Sequence, residues 1–224
     1  MFVVNLCTVT PVRQEPSESS EQLTQLLFGE ICELLDSLPR WTKIRSTMDG
    51  QEGWVDFKML SPVYNQLPIA SHLPNASVAV PMAVATDMET GEELMLTLGT
   101  PLFNYAHGTF EVLNKKYLIA PSCVNSTEQL LNSDTSRAEL LNNVCSTAQT
   151  LLNAPYLWGG KNIMGIDCSG FTQVVYGVFG VNLLRNAREQ MTQGTKVDSL
   201  TDAQPGDLAF FDHADRDPNA TNIS

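Results

Sequence analysis

Histidine is scarce in this chain, three in 224 residues, and its five cysteines never form a CxxC pair. No two ligand-type residues have the helix or knuckle spacing of a zinc site, so neither a metal nor any other cofactor is expected. The thiols, Cys7, Cys32, Cys123, Cys145 and Cys168, are odd in number and scattered. That pattern fits reduced thiols, or one functional thiol among buried ones, and not a disulfide framework. Long apolar runs are missing as well, and none approaches the roughly 18 to 20 residues needed to cross a bilayer. The start, Met1-Phe-Val-Val-Asn-Leu-Cys-Thr, has no basic n-region and no long apolar h-region. The expected location is the cytoplasm, or an exported chain whose signal is absent from this sequence. Positive charge is short: 13 Lys and Arg stand against 25 Asp and Glu, a formal net charge of −12. The deficit is even, with 14 acids to 7 bases through Asn125 and 11 to 6 afterwards. Nucleic acid and other anionic polymers are therefore poor partners, and the charge serves solubility.

What remains is a globular composition, 43% hydrophobic, long enough for one or two domains or three small ones. Nothing in it specifies an oligomeric state. The first 61 residues read as short strands around 25–28, 31–35, 41–45 and 52–55, with an Asp49-Gly50 turn before Glu52-Gly53-Trp54-Val55. Alternation with such a hairpin suggests a small barrel, with Trp41 and Trp54 in its core or along a cleft wall. Residues 62–122 carry further strand-like runs at 78–84, 94–98, 110–113 and 117–120. Capping-box spacings at Ser126–Gln129 and Ser136–Glu139 then signal a change to helix. Leu141, Val144, Cys145, Ala148, Leu151 and Leu152 continue the second as an amphipathic stripe ended by Asn153 and Pro155. A third unit therefore runs over 123–224.

Within it, Asn153-Ala-Pro-Tyr156-Leu-Trp158-Gly159-Gly160 is followed by Asp167-Cys168-Ser169-Gly170-Phe171. Phe171, Val174, Val175 and Val178 trace one face of a helix closed by Gly180, which puts Cys168 in its first turn. Free backbone N–H groups and the positive end of the helix dipole favour a thiolate there. Asp167 opposes this unless it turns away to cap the helix or bind substrate, and Gly170, without a Cβ, leaves room for another chain or a ligand to approach. An isolated cysteine is more often an inert buried thiol. The surrounding motifs favour the reactive reading.

Tyr156-x-Trp158-Gly-Gly, Asp167-Cys168-Ser-Gly-Phe171 and Gln204-Pro205-Gly206-Asp207-Leu208-Ala-Phe-Phe211 resemble, in order and spacing, the NlpC/P60 family of cell-wall cysteine peptidases. The resemblance implies a papain-like α+β domain, in which the cysteine helix packs on a small antiparallel sheet bearing a histidine base. Residues 1–61, with Val12-Arg13 and the Asp-Gly-x-x-Gly-Trp-Val hairpin, resemble a bacterial SH3-type domain. Residues 62–122 are expected to form a diverged second barrel of that type.

A cysteine nucleophile needs a base within reach and a group to orient it. The family's histidine lies on the strand after the Gly-Asp-Leu strand, and this sequence ends at Asn222-Ile223-Ser224, where that strand would begin. The resemblance therefore implies a domain incomplete at its C-terminus and inactive as it stands. His213 follows the expected 208–211 strand in a loop, as turn or as base; His72 and His107 fall in the N-terminal half and read as ordinary residues.

SH3-type barrels before such a domain resemble γ-D-glutamyl-L-diamino-acid endopeptidases that trim short murein peptides with a free N-terminal L-alanine. By that resemblance Cys168 attacks the γ-D-glutamyl amide, and its own N–H and the Tyr156 hydroxyl hold the oxyanion. Asp167 and Ser169 would meet the substrate's amine and backbone. Arg185 would pair with a substrate carboxylate, or be a solvated charge. Glu52 of the barrel hairpin is the candidate acid for the alanine ammonium, with Tyr64 and Tyr105 next. Two other readings stay open: a wall-peptide binding protein without the base, and an acyltransferase, which would need an apolar groove.

Overall fold

The computed structural model describes residues 1–63, 73–126 and 137–211, which form an α+β chain of two barrels and a helical unit. In the first barrel β1 (Phe2–Asn5), β2 (Val9–Arg13), β3 (Gln22–Leu27), β4 (Ile31–Ser37), β5 (Trp41–Ser46), β6 (Glu52–Asp56) and β7 (Leu60–Val63) pair in the order β3-β2-β6-β5-β4-β1-β7. Side-chain alternation sets the register: on β5 Thr42, Ile44 and Ser46 face inward while Lys43 and Arg45 lie across from Trp54 and Glu52. Gly50, at φ 74°, makes the hairpin turn. Gly53 is required by a close crossing, since a Cβ there would press on Val12 and the Arg13 carbonyl. Val3, Val12, Leu26, Cys32, Ile44 and Val55 fill the interior. Trp41 is buried and Trp54 half-buried.

The second barrel repeats the first strand for strand. Its elements β8 (Ala76–Val78), β9 (Met82–Asp87), β10 (Glu93–Thr97), β11 (Pro101–Ala106), β12 (Thr109–Val112), β13 (Lys115–Ile119) and β14 (Val124–Ser126) pair as β10-β9-β13-β12-β11-β8-β14, each strand seven numbers on from its counterpart. Even the 3-10 turn before the last strand recurs, Phe57–Met59 in one and Pro121–Cys123 in the other. The apolar run 78–84 divides into the end of β8 and the start of β9, with Pro81, which has no N–H for a ladder, in the gap.

The two barrels share one core. Val4 and Phe28 of the first lie among Ala85, Leu96, Leu102, Phe110 and Ile119 of the second. Phe28 meets Tyr117 edge-on at 5.5 Å between centroids, and Tyr117 stacks on Phe110 at 5.2 Å.

The third unit comprises α1 (Arg137–Gln149), the hairpin β15 (Lys161–Asn162) and β16 (Gly165–Ile166), α2 (Cys168–Gly177) and α3 (Ala187–Gln190). α1 ends at Gln149, earlier than its apolar stripe suggests; Val144 and Leu151 are buried but Leu152 is 75% exposed. The proposed caps Ser126–Gln129 and Ser136 fall wholly or partly outside the described residues. Residues 208–211, expected as a strand, pair with no strand among the described residues, and Phe211 is exposed. Leu98 of the second barrel enters the core of this unit beside Val144, Ile166, Val174 and Val178.

Leu98 is fully buried at that junction. Leu98→Ala is expected to lower the unfolding free energy by about 2–5 kcal/mol in urea denaturation. A loss under about 1 kcal/mol would mean that the junction does not contribute as a packed core.

Candidate active site

Cys168 is the first residue of α2, and Asp167, in extended conformation (φ −98°, ψ 175°), is its N-cap. The Asp167 carboxylate collects five hydrogen bonds. Gly170 N–H donates at 2.7 Å, the normal capping contact. Gly159 N–H donates at 2.8 Å from the loop ahead of the helix. Arg185 donates from Nη1 at 3.1 Å and from Nη2 at 2.6 Å, and the Ser169 hydroxyl donates at 3.3 Å. The bidentate guanidinium neutralises the charge that would otherwise sit beside Cys168, which answers the objection Asp167 raises in the sequence.

Arg185 is 2% exposed, so it is neither a solvated charge nor an open receptor. Its Nη1 also donates to Ser169 Oγ at 2.9 Å, and its Nε donates to Thr24 Oγ1 at 2.7 Å. Four of the five donors a guanidinium carries are thereby engaged within the protein. Asp167, Ser169 and Arg185 are brought together, bonded to one another and buried.

The glycines follow from the same packing. A Cβ on Gly170 would overlap the Gly160 carbonyl oxygen, so the close approach inferred for Gly170 is made by this protein's own loop. Gly159 has φ 75°, and a Cβ on it would come within 2.6 Å of the Gln22 carbonyl of the first barrel. The loop 156–160 is thus pressed between α2 and β3. Tyr156 emerges from it 67% exposed, its backbone bridged to Ile166. Partial burial, then the negative charges of Cys168 and Asp167, push the Tyr156 phenol above its ordinary value, while Arg185 opposes them. The hydroxyl therefore stays protonated and able to donate near Cys168.

Cys168 is exposed; Cys7, Cys123 and Cys145 are half-buried and Cys32 is buried. Burial, with the charges of Glu30 and Asp49, pushes the Cys32 thiol far up, leaving it inert.

The first barrel contributes more to this site than the sequence revealed. Trp158 donates from Nε1 to Glu21 at 2.8 Å and accepts at its carbonyl from Gln22. Gln25 accepts from Lys161 N and Asn162 Nδ2, and Asp49 accepts from Gln173 Nε2. Lys161 Nζ reaches Glu30 at 2.9 Å in a buried ion pair. Glu52 lies elsewhere: Arg45 and Lys43 hold its carboxylate on the barrel surface and lower its pKa. The acid that reaches the loop before Cys168 is instead Glu21. A polar β3 is the sole sequence signal for these contacts, and it has no meaning without the partner loop. Tyr105, on β11, is half-buried.

His107 is the one histidine among the described residues and occupies the β11–β12 turn at φ 51°. His72, His213 and Tyr64 lie outside the described residues. Among the described residues no three His, Cys, Asp or Glu side chains are placed to hold a metal ion, and no helix is long and apolar enough to cross a membrane.

Residues 153–222 match the NlpC/P60 family and residues 8–61 the bacterial SH3 domain. Over 202 residues the chain is 27% identical to a gamma-D-glutamyl-L-lysine dipeptidyl-peptidase of Bacillus cereus, an alignment covering 85% of this chain and 60% of that protein. A protein of the same name from Bacillus subtilis is 26% identical over 201 residues, covering 84% and 63%. The chain thus spans about 60% of the length of these relatives. The crystal structure of an NlpC/P60 family protein from Bacillus cereus shares the fold, with a TM-score of 0.76 at 21% identity, over 95% of this chain and 83% of that one. The chain therefore carries a bacterial SH3 domain and an NlpC/P60 domain, with a second barrel of the same winding between them.

The Glu30–Lys161 pair yields a pH-dependent prediction. Burial is the largest influence on Glu30 and raises its pKa; Lys161 opposes this and Asp49 adds to it. Glu30 Oε2 has no hydrogen-bond partner among the described residues. A carboxyl raised on folding binds its proton more tightly in the folded state. Its stabilising share is complete below the unfolded value and is lost as pH rises through the folded one. Lys161→Met removes the opposing charge and is expected to cost roughly 3–5 kcal/mol at pH 8, and less at pH 5. Urea titrations at the two pH values check this, and an equal loss at both would contradict it. The double variant Glu30→Leu/Lys161→Met should recover most of the loss.

Proposed function

We propose that this protein is a cysteine peptidase that cleaves the γ-D-glutamyl–diamino-acid amide of short, released murein peptides bearing a free N-terminal L-alanine. The observation that carries the reading is an exposed Cys168 at the start of α2, beside an acid already neutralised by Arg185 and within electrostatic reach of the Tyr156 phenol. Resemblance to the two Bacillus gamma-D-glutamyl-L-lysine dipeptidyl-peptidases supports the choice of bond.

In this reading the Cys168 thiolate attacks the γ-carbonyl carbon, the C–N bond breaks, and the diamino acid leaves with a proton from the base. Water then hydrolyses the thioester. The oxyanion formed at each step accepts from the Cys168 N–H, which as a first-turn donor has no intrahelical acceptor, and from the Tyr156 hydroxyl. In the family the base is a histidine on the strand after the Gly-Asp-Leu strand; His213, which follows Gly206-Asp207-Leu208 in this sequence, corresponds to the turn before that strand or to the base itself. The peptide lies along the exposed Tyr156, Leu157 and Trp158. Its ammonium faces the first barrel. Glu52 is committed to two cations, so Glu21 at Trp158 is the carboxylate suited to that contact.

The test is release of L-Ala-D-Glu from a free murein tripeptide by the full-length protein. Cys168→Ala should abolish release while leaving the thermal unfolding midpoint within a few degrees. Tyr156→Phe should lower kcat about 10²-fold, as loss of one oxyanion donor does. An N-acetylated tripeptide should be cleaved far more slowly than the free one. Measurable tripeptide binding without turnover would replace this reading with that of a wall-peptide binding protein.

A further inference from the structure

Thr24 belongs to the first barrel, yet its hydroxyl serves the cysteine site. It lies on β3, is 2% exposed, and accepts from Arg185 Nε at 2.7 Å across 161 residues of sequence. The other three bonds of Arg185 go to Asp167 and Ser169. Thr24 thus fixes the Nε edge of the guanidinium, which neither Asp167 nor Ser169 holds. Arg185 is as deeply buried as Thr24, so losing this acceptor would leave a charged donor unpaired away from water. The guanidinium would then rotate toward another acceptor and lose its fork geometry on Asp167.

Asp167 in turn holds the first turn of α2 through Gly170 N–H and the loop carrying Tyr156 through Gly159 N–H. A displacement of Arg185 is therefore passed to both groups that would act on the scissile carbonyl. The neighbours of Thr24 on β3 grip the same loop, Gln22 at the Trp158 carbonyl and Gln25 at Lys161 N. This face of the barrel is occupied by its own chain.

We infer that Thr24 is a positioning residue of the cysteine site, acting through Arg185 and Asp167. The inference rests on the reading of Cys168 as the nucleophile. Its test uses Thr24→Val, which keeps the shape and removes the acceptor, and Thr24→Ser, which keeps the acceptor, in the full-length protein. Two readouts are taken: the rate of Cys168 alkylation by iodoacetamide, followed by mass spectrometry with buried Cys32 as internal reference, and kcat and KM on the free tripeptide. Near-UV circular dichroism verifies folding, and Thr24→Ala serves if Thr24→Val does not fold.

Thr24→Val should slow alkylation about threefold or more and lower kcat about tenfold with KM little changed, because misplacement of a reacting group is felt in the chemical step. Thr24→Ser should return both to within about twofold of the unsubstituted protein. Unaltered alkylation and kcat in folded Thr24→Val would overturn the assignment. So would Thr24→Ser behaving no better than Thr24→Val, which would trace the loss to packing. If the tripeptide is never cleaved but alkylation responds as described, the peptidase reading fails and the role of Thr24 in placing Cys168 stands.

Discussion

The buried ion pair between Asp167 and Arg185 is the interaction on which the rest of the site depends. Asp167 is forced into its position by the helix it caps, and as an unpaired buried carboxylate it would be costly. Arg185 removes that cost, and Ser169 and Thr24 take two of the three donors that Asp167 leaves. The result is a helix start at which Cys168 is exposed while the residues on either side of it are buried and fixed. A reactive group held by such a network needs little rearrangement when substrate arrives.

This geometry requires a rigid first barrel, and the fold supplies one. Two barrels of identical winding bury Val4 and Phe28 in a common core, so they behave as a single support. The second barrel adds Leu98 to the helical core behind α2, while the first presents β3 to the loop in front of it. The cysteine helix is therefore braced from both sides by elements distant in sequence. Most of the contacts to β3 are polar and directional, which suits fixing a loop more than driving association.

What the sequence displays is what short-range chemistry determines. The Asp49-Gly50 turn, the start of α2 and the cap at Asp167 can all be read locally, because turn and capping each act within a few residues. α1 and α2 are legible for the same reason, although α1 stops before Leu152 because a stripe of apolar residues does not itself mark a helix end. Most strands of the second barrel are legible too, as is a diverged barrel of the same type, but not the strand-for-strand match with the first: strand order arises from long-range pairing, and its core includes Phe28 from the other barrel. Arg185 looks like a surface cation until Asp167, Ser169 and Thr24 close around it. Glu52 and Glu21 illustrate the same limit, because a hairpin acid is visible in sequence whereas docking of β3 against the Trp158 loop is not.

The central claim is that the cysteine site and the first barrel form one cooperative structure. Native-state hydrogen exchange at the Gly159 and Gly170 amides, both bonded to the Asp167 carboxylate, measures this most directly. The account predicts that both exchange only through the opening that also exposes the barrel core around Ile44, with the same free energy and the same denaturant dependence. Exchange of the two glycines through a low-energy local opening that leaves Ile44 protected would contradict it.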